Sequence, residues 1–266
     1  MKNIFCSLIF VLFIFSAAYG QNTIQPRSMN FENKGLVFNK ELAVDLRIHT
    51  NRGLALAVNV GQIKTYYKTR YYHFEIGELR HPKEQRQSFD YPSWGGGKTS
   101  RSFILGKINN LYAIRAGIGE KRYFSEKAKR KGLAIGVNYE GGFTLGLLKP
   151  YYLEIIRSVE PGSPRYLVSE KYNEENRNIF LDENRIYGSS GFTKGLSELG
   201  IRPGAHFKAS IHFDWGAFDE FVKAIEAGIM GDIFLQKVPI MADVDGAENR
   251  PFFINLFISL QLGKRW

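Results

Sequence analysis

Apolar and polar residues alternate one by one along much of this chain. The clearest stretch runs from Ala205 to Trp215, where every second residue is apolar and the residues between include His206 and Lys208. Successive side chains of a β-strand point to opposite faces, so this period predicts a strand with one apolar face. The same pattern recurs at intervals from residue 41 to residue 263.

Ten strands are predicted from this alternation. They are 41–50, 54–62, 69–80, 100–108, 111–120, 132–147, 151–157, 203–216, 220–231 and 252–263. Strands of this length joined by turns indicate an all-β, antiparallel fold, and a count of eight or twelve strands would fit the same pattern.

The polar face carries small residues and isolated charges, and this decides between two architectures. The glycines on it are Gly61, Gly117, Gly119, Gly136 and Gly228. A soluble sandwich would place long polar side chains on a water-facing surface, where glycine weakens a strand. Glycine suits a narrow, crowded interior instead, and the apolar face then meets lipid. The pattern predicts a transmembrane β-barrel.

Connection lengths favour the same architecture. With the N-terminus in the periplasm, the outward connections are 51–53, 81–99, 121–131, 158–202 and 232–251, and the inward ones are 63–68, 108–110, 148–150 and 216–219. Outer-membrane barrels have short periplasmic turns and longer outer loops. Only the connection 51–53 departs from that rule.

The first 20 residues predict export. Lys2 precedes the apolar run Ile4–Phe15, and the small residues Ala18 and Gly20 precede Gln21. This arrangement is typical of a secretory signal peptide cleaved after Gly20, and the run is shorter than the roughly 20 residues of a membrane helix. The expected organisation is a signal peptide at 1–20, a periplasmic lead at 21–40 and a barrel at 41–266.

The composition narrows the chemistry. The single cysteine, Cys6, lies in the expected signal peptide, so a disulfide framework or a thiolate metal site in the mature chain is excluded, and we expect no metal and no cofactor. Trp94–Ser100 could be mistaken for a phosphate-binding loop, but Pro92 occupies the position of its first glycine.

The formal net charge of +10 raises the question of an anionic partner. The basic residues are spread over loops without a nucleic-acid recognition module, so no nucleic acid is expected. Glu120–Lys131 carries six basic and two acidic residues. As the third outward connection it is expected to meet lipopolysaccharide phosphates, alongside the lipid around the wall.

The end of the chain carries a resemblance. Phe252–Trp266 keeps its apolar residues in one phase and ends on an aromatic residue, which resembles the C-terminal β-signal of outer-membrane barrels, although that family usually ends in Phe. The stretches 81–84, 110–117 and 147–154, with Gln21, resemble uncharacterised outer-membrane β-barrel proteins of the Bacteroidota. The resemblance implies an outer-membrane location more than an activity.

The inward face predicts a polar network. Charges shielded from water must pair, so charged residues on this face are expected to fill the lumen with ion pairs. The residues predicted to form this network are Asp45, Arg47, Arg115, Glu140, His206, Lys208 and Glu226.

The inward face also permits a catalytic alternative. Ser210, His212 and Asp214 could act as nucleophile, base and orienting carboxylate in a lipid acyl hydrolase. Neighbours on one face of a strand are about 6.5–7 Å apart, which is too far for a direct Ser–His hydrogen bond without favourable rotamers. Asp45 and His49 fit the Asp and His of ten-stranded surface proteases only weakly.

The leading expectation is therefore a non-enzymatic integral protein of a Gram-negative outer membrane. Its outer loops or its wall would engage another component of the cell envelope, such as a protein complex. The acyl hydrolase and a narrow channel are the alternatives.

Overall fold

The computed structural model describes residues 37–89, 99–124, 133–158, 163–215, 219–242 and 248–266. The expected signal peptide and most of the lead lie outside these residues, as does most of Trp94–Ser100.

Thirteen strands and one α-helix are present in the described residues. The strands are β1 (Lys40–His49), β2 (Leu54–Thr65), β3 (Lys68–Leu79), β4 (Arg86–Gln87), β5 (Phe103–Ile104), β6 (Asn109–Tyr123), β7 (Ala134–Pro150), β8 (Tyr152–Arg157), β9 (Tyr166–Lys171), β10 (Ile186–Ser189), β11 (Gly200–Asp214), β12 (Phe221–Phe234) and β13 (Phe252–Arg265). The helix α1 is Arg177–Phe180, and a 3₁₀ turn follows at Glu183–Arg185.

Eight strands form a closed antiparallel barrel. Their order around it is β1, β2, β3, β6, β7, β11, β12 and β13. Closure comes from the first and last strands, which pair along their length with Asp45 opposite Gln261 and Ile48 opposite Ile258. The predicted all-β antiparallel barrel is therefore confirmed. Closure leaves no free edge on this sheet.

The count of ten strands is not confirmed, because two predicted strands lie outside the barrel. Within 100–108, Phe103 and Ile104 form the two-residue strand β5, which pairs with β4, and Lys107 makes an isolated bridge to Met241. Residues 152–157 form β8 at the centre of a separate sheet. The apolar side chains of these segments, such as Phe103 and Leu153, are buried against each other rather than directed to the outside of the barrel.

The barrel is polar inside and apolar outside. In β1, Asp45 and Arg47 are fully buried, whereas Leu46 and Ile48 are 52% and 55% exposed. The same alternation holds in β13, where Ser259 and Gln261 are buried between the exposed Ile258 and Leu260. The barrel strands thus carry the inverted pattern that the sequence predicts.

The two ends of the barrel differ. The end with Lys40 and Arg265, here called the termini end, carries the connections 66–67, 124–133 and 215–220. The opposite end, the loop end, carries 50–53, 80–108, 151–199 and 235–251. Connections of up to 49 residues stand at one end only, as an outer-membrane barrel requires.

Because two of the predicted strands are not part of the barrel, several predicted connections lie at the opposite end from the one expected. The segment predicted as the third outward loop, Glu120–Lys131, begins in β6 and continues into the connection to β7 at the termini end, and its residues 125–131 lie outside the described part. Conversely, the predicted inward turns 108–110 and 148–150 stand at the loop end, where β6 begins and β7 ends. The described part of this segment, Glu120–Phe124, therefore lies at the same end of the barrel as the termini, and its expected contact with lipopolysaccharide stays a prediction that depends on which side of the membrane this end faces.

An apolar cluster closes the bore at the loop end. It combines the last inward-facing residues of five strands with side chains from the connections, and we call it the apolar plug. Its members are Leu79, Ile104, Leu111, Ala113, Leu148, Phe234, Val238, Ile240, Met241 and Phe253. The backbone also ties the connection 235–251 to the strands, since Ile240 O accepts from Ile108 N at 2.8 Å.

A small sheet with a core of its own follows β7. Its strand order is β10, β8, β9, and we call it the loop-end sheet. Phe103, Leu153, Ile155, Phe180 and Ile186 form its buried core. The longest connection, 151–199, is thus a folded element.

Candidate functional site

The middle of the barrel is held by one carboxylate between two arginines. Glu75 from β3 accepts hydrogen bonds from the guanidinium groups of Arg47 and Arg115. Arg115 also donates from Nε and Nη2 to the two oxygens of Asp232, both at 2.8 Å. All four side chains are completely buried, so these charges are balanced by each other rather than by water.

A second group is centred on Glu140. Its Oε2 lies 2.7 Å from Lys208 Nζ, and its Oε1 lies 3.3 Å from the Nε2 atoms of His73 and His206. Lys208 Nζ also lies 3.7 Å from Glu226 Oε2. These contacts join four strands across the bore.

A third group closes the bore toward the termini end. Glu41 accepts from Lys121 Nζ at 3.0 Å and from Arg265 Nε at 2.7 Å. Arg265 reaches Asp214 through Nη2 at 2.8 Å. Together with the apolar plug, the three groups fill the interior from end to end with side chains.

The structure places all seven residues of the predicted lumen network inside the barrel, each at most 5% exposed. It brings Glu140, His206, Lys208 and Glu226 together, and Arg47 with Asp45 at 3.8 Å. The main hydrogen bonds of Asp45 come from Asn59 and Gln261 at 2.8 Å. Arg115 stands in the other group, with Asp232 and Glu75.

Several partners in this network are absent from the set predicted from the sequence. Glu75 shares the phase of the inward-facing residues in its predicted strand, so alternation alone could have found it. Asp232 and Arg265 lie one and two residues beyond the predicted ends of their strands, 220–231 and 252–263. Their pairing depends on which strands meet across the closed bore.

The three residues of the hydrolase alternative do not form a triad. His212 Nδ1 lies 3.1 Å from Glu226 Oε1, and its Nε2 faces Asp214 at 3.8 Å and the Tyr123 hydroxyl at 3.4 Å. Ser210 Oγ is buried and has no hydrogen-bond partner among the described residues. The base is turned away from the nucleophile, and all three side chains face the filled interior, away from any lipid substrate.

The protease comparison also fails on geometry. Asp45 is held by Asn59 and Gln261, whereas the His49 ring packs edge-on against Phe257 at 6.5 Å between centroids. The two side chains occupy separate environments.

The loop-end sheet offers a structured polar surface. Arg157 on β8 donates to both oxygens of Glu170 on β9, at 2.9 and 2.7 Å. These hydrogen bonds hold the pKa of Glu170 below its usual range. Lys171 and Tyr152 likewise donate to Glu198, which lowers the pKa of that carboxyl. These contacts connect β8, β9 and the segment that leads to β11.

A buried ion pair joins the two ends of the loop-end connection 80–108. Lys107 Nζ lies 2.6 Å from Glu84 Oε2, and both side chains are nearly inaccessible. The Tyr151 ring lies 5.8 Å from the same ammonium group. Burial raises the pKa of the Tyr151 hydroxyl, so this group is neutral at pH 7 and adds no charge to the site.

Within the described ranges, no helix has both the length and the apolar character needed to cross a membrane. The same ranges contain no cluster of His, Cys, Asp and Glu that could hold a metal ion.

Comparison with known proteins gives one structural similarity. No protein-family model matches the chain. No curated protein matches it either. Among solved structures, the N-terminal β-barrel domain of Pseudomonas aeruginosa OprF is similar, with 11% sequence identity and a TM-score of 0.34, over 86% of this chain and 97% of that domain.

Proposed function

We propose that this chain is a non-enzymatic integral protein of a Gram-negative outer membrane, whose filled barrel holds a structured loop end against another component of the envelope. The observation that carries the proposal is the inverted barrel. Charged side chains such as Arg47 and Glu75 are fully buried, while the wall presents a continuous band of exposed Leu, Ile, Val and Phe.

This band needs a lipid environment. A soluble monomer rarely exposes a contiguous apolar patch of more than a few hundred Å². Here every barrel strand contributes exposed apolar residues, such as Leu56 on β2 and Phe207 on β11. Acyl chains cover such a surface, and ring closure satisfies the backbone groups that lipid cannot.

The filled interior argues against the channel alternative. A barrel of about eight strands already fills with side chains. In this chain ion pairs occupy the middle and the termini end, and the apolar plug covers the loop end. An ion would have to break several buried pairs to pass.

The loop-end sheet is the surface best suited to a partner. It is folded on its own core, and it presents polar and aromatic residues such as Tyr166, which is 45% exposed. A surface that is already ordered loses little conformational entropy on binding. We therefore assign partner contact to the connection 151–199, with an envelope protein or surface glycolipid as the class of partner.

Refolding into lipid vesicles tests the architecture. The purified chain is expected to enter phospholipid vesicles, to migrate faster on unheated than on heated gels, and to show no steady conductance in planar bilayers. A chain that stays dissolved and folded without detergent or lipid would contradict the membrane assignment. Steady single-channel steps would instead restore the channel.

A deletion tests the role of the loop end. Replacing 163–190 by a short Gly-Ser linker is expected to leave the heat-modifiable barrel intact and to abolish co-purification of the partner from detergent-solubilised membranes. Equal recovery of the partner by both forms would place the contact elsewhere on the barrel.

A further inference from the structure

One cluster of charges on the outside of the barrel gathers three cations around a single carboxylate, at the edge of the apolar wall. It consists of Lys68 and Arg70 on β3, Glu120 and Arg122 on β6, and Tyr139 on β7, and we call it the basic notch. Lys68 stands opposite Arg122 and Arg70 opposite Glu120 in the register of the two strands. The inward face at the same level is separate, since Lys121 points into the lumen toward Glu41.

Glu120 organises the cations of the notch. It accepts from Lys68 Nζ at 2.9 Å, from Arg70 Nε at 3.2 Å and from Arg122 Nε at 2.6 Å. The Tyr139 hydroxyl donates to it as well. Only 9% of the Glu120 side chain is exposed, so its charge lies behind the donors that surround it.

The cations keep donors free for a ligand. The side chains of Arg70 and Arg122 are 61% and 52% exposed, and each contacts Glu120 through Nε. The hydrogen bonds of both arginines to Glu120 come from Nε, and the Arg122 guanidinium also lies over the Tyr139 ring, 5.8 Å from its centroid. The terminal guanidinium nitrogens form the fork that fits phosphate oxygens. Three cations face one carboxylate, which leaves an excess of positive charge.

The position of the notch is that of a lipid headgroup. Toward the middle of the barrel it is bordered by Ile118 and Tyr72, which are 60% and 61% exposed. On β7, Tyr139 stands opposite Glu120 and Val137 opposite Arg122, and the outward residues continue apolar toward the termini end as Ile135 and Leu133. The charges therefore lie beside apolar wall on two sides, where acyl chains and a phosphate group meet.

We propose that the basic notch binds the phosphate of a negatively charged glycerophospholipid, with the acyl chains along Tyr72 and Ile118. The inference rests on the proposed membrane location and adds a specific lipid site on the half of the wall nearest the termini. Arg70 and Arg122 hold the phosphate oxygens through their terminal nitrogens, Lys68 adds charge, and Glu120 keeps the guanidinium groups in place.

Native mass spectrometry of the full chain tests the site. The protein is released from mixed micelles that contain phosphatidylglycerol or phosphatidylcholine, and retained lipid is counted. Wild type is expected to retain phosphatidylglycerol in preference to phosphatidylcholine. The double variant Arg70→Gln/Arg122→Gln is expected to bind phosphatidylglycerol about tenfold or more weakly, since each basic contact to an anionic lipid contributes roughly a fivefold factor. Arg70→Lys/Arg122→Lys keeps the charge but loses the forks, and is expected to fall between the two.

The matched control is Lys64→Gln/Lys223→Gln. It removes the same formal charge from exposed positions near the termini end but outside the notch, and is expected to bind phosphatidylglycerol as wild type does. Heat-modifiable migration is measured for each variant, so that loss of lipid is read only from folded barrels, and the Lys variant serves if the Gln variant does not fold.

The outcomes separate the site from the membrane assignment. Equal lipid retention by wild type and the Arg70/Arg122 variants, with all barrels inserted, would overturn the lipid site and leave the proposed function standing. Displacement of the lipid by millimolar inorganic phosphate would show a free-anion site and also overturn it. A wild-type chain that never enters vesicles would overturn the proposed function, and the lipid site with it.

Discussion

At the scale of residues, the interior is stabilised by charges that have no access to water. Glu75 is the clearest case because it contacts two guanidinium groups at once. Removal of one partner from a buried pair leaves an uncompensated charge, which costs far more than the pair contributes over an apolar substitute. Removal of a single interior carboxylate is therefore expected to lower the stability of the barrel strongly.

The variant Glu75→Ala is expected to destabilise the barrel by about 3–5 kcal/mol. Arg115 retains Asp232, but Arg47 is left with Asp45 at 3.8 Å. Urea unfolding of the protein refolded in vesicles, followed by Trp fluorescence, measures the change. The control Glu78→Ala removes a partly exposed partner of Arg80 at the rim and is expected to cost at most about 1 kcal/mol. Similar losses for both variants would contradict the buried network.

A glycine of the interior makes room for one of the network's hydroxyl groups. A Cβ added at Gly119 would lie 2.2 Å from Cζ of Tyr71. Tyr71 donates to Asn138 at 2.5 Å and to Glu140 at 3.0 Å. The ring cannot move without loosening these contacts.

Gly119→Ala is therefore expected to cost about 1–3 kcal/mol, as overpacking of a tight interior does. Gly141→Ala is the matched control on the outward face of β7, where an added Cβ meets no atom closer than 3.8 Å. The control is expected to be neutral or slightly stabilising, because alanine loses less backbone entropy than glycine. The midpoint of heat-modifiable migration compares the two, and a control as damaging as Gly119→Ala would refute the close-packing argument.

At the scale of elements, alternation located the eight barrel strands and failed at two others. Alternation of apolar and polar residues shows that one face of a strand is apolar, but it does not show whether that face contacts lipid or a small hydrophobic core. Phe103 and Leu153 lie in alternating segments whose apolar face packs inside the loop end. The sequence carries no local signal for that choice.

The candidate site was predictable to a similar depth. The alternation of apolar and polar residues along each strand was enough to place Arg47, Arg115 and Lys208 on the inward face. Their partners come from other strands, as Arg115 and Asp232 show across 117 residues of sequence. Such pairs depend on the order and register of the closed ring, which single strands do not encode.

The loop-end sheet is expected to respond to acid through Glu170. Arg157 lowers the pKa of this carboxyl in the folded state. A group with a depressed folded pKa contributes stability above its unfolded pKa, about 4.3 for Glu, and loses it as the pH falls through the folded value. The sheet is therefore expected to weaken below about pH 4 by this contribution.

Hydrogen exchange of the β8 amides, corrected for intrinsic rates, checks this expectation. At pH 7, Glu170→Gln is expected to exchange roughly 1.5- to 5-fold faster than wild type, since the pair is partly exposed, and the difference is expected to be smaller at pH 3. Glu175→Gln, at an exposed position nearby, is expected to match wild type at both values. A difference of the same size at pH 7 and pH 3 would assign the effect to packing rather than to charge.

At the scale of the whole molecule, the longest connections all leave one end of the barrel. The start of β1 and the end of β13 lie at the other end. With the termini end in the periplasm, the loop-end sheet faces the cell exterior. The basic notch then lies in the inner leaflet, where glycerophospholipids are found. The proposed partner surface and the proposed lipid site therefore both depend on the same orientation of the barrel in the membrane.

Single cysteines test this orientation. Cys6 is the one native cysteine and lies in the expected signal peptide, so wild type serves as the unlabelled reference. Glu174 is exposed on the connection 151–199, and Glu220 is exposed in the connection 215–220 at the termini end. On intact cells, a membrane-impermeant maleimide is expected to label the variant Glu174→Cys, and to label Glu220→Cys only after the outer membrane is permeabilised. The reverse order would invert the barrel, which would turn the loop-end sheet toward the periplasm and the basic notch toward the outer leaflet.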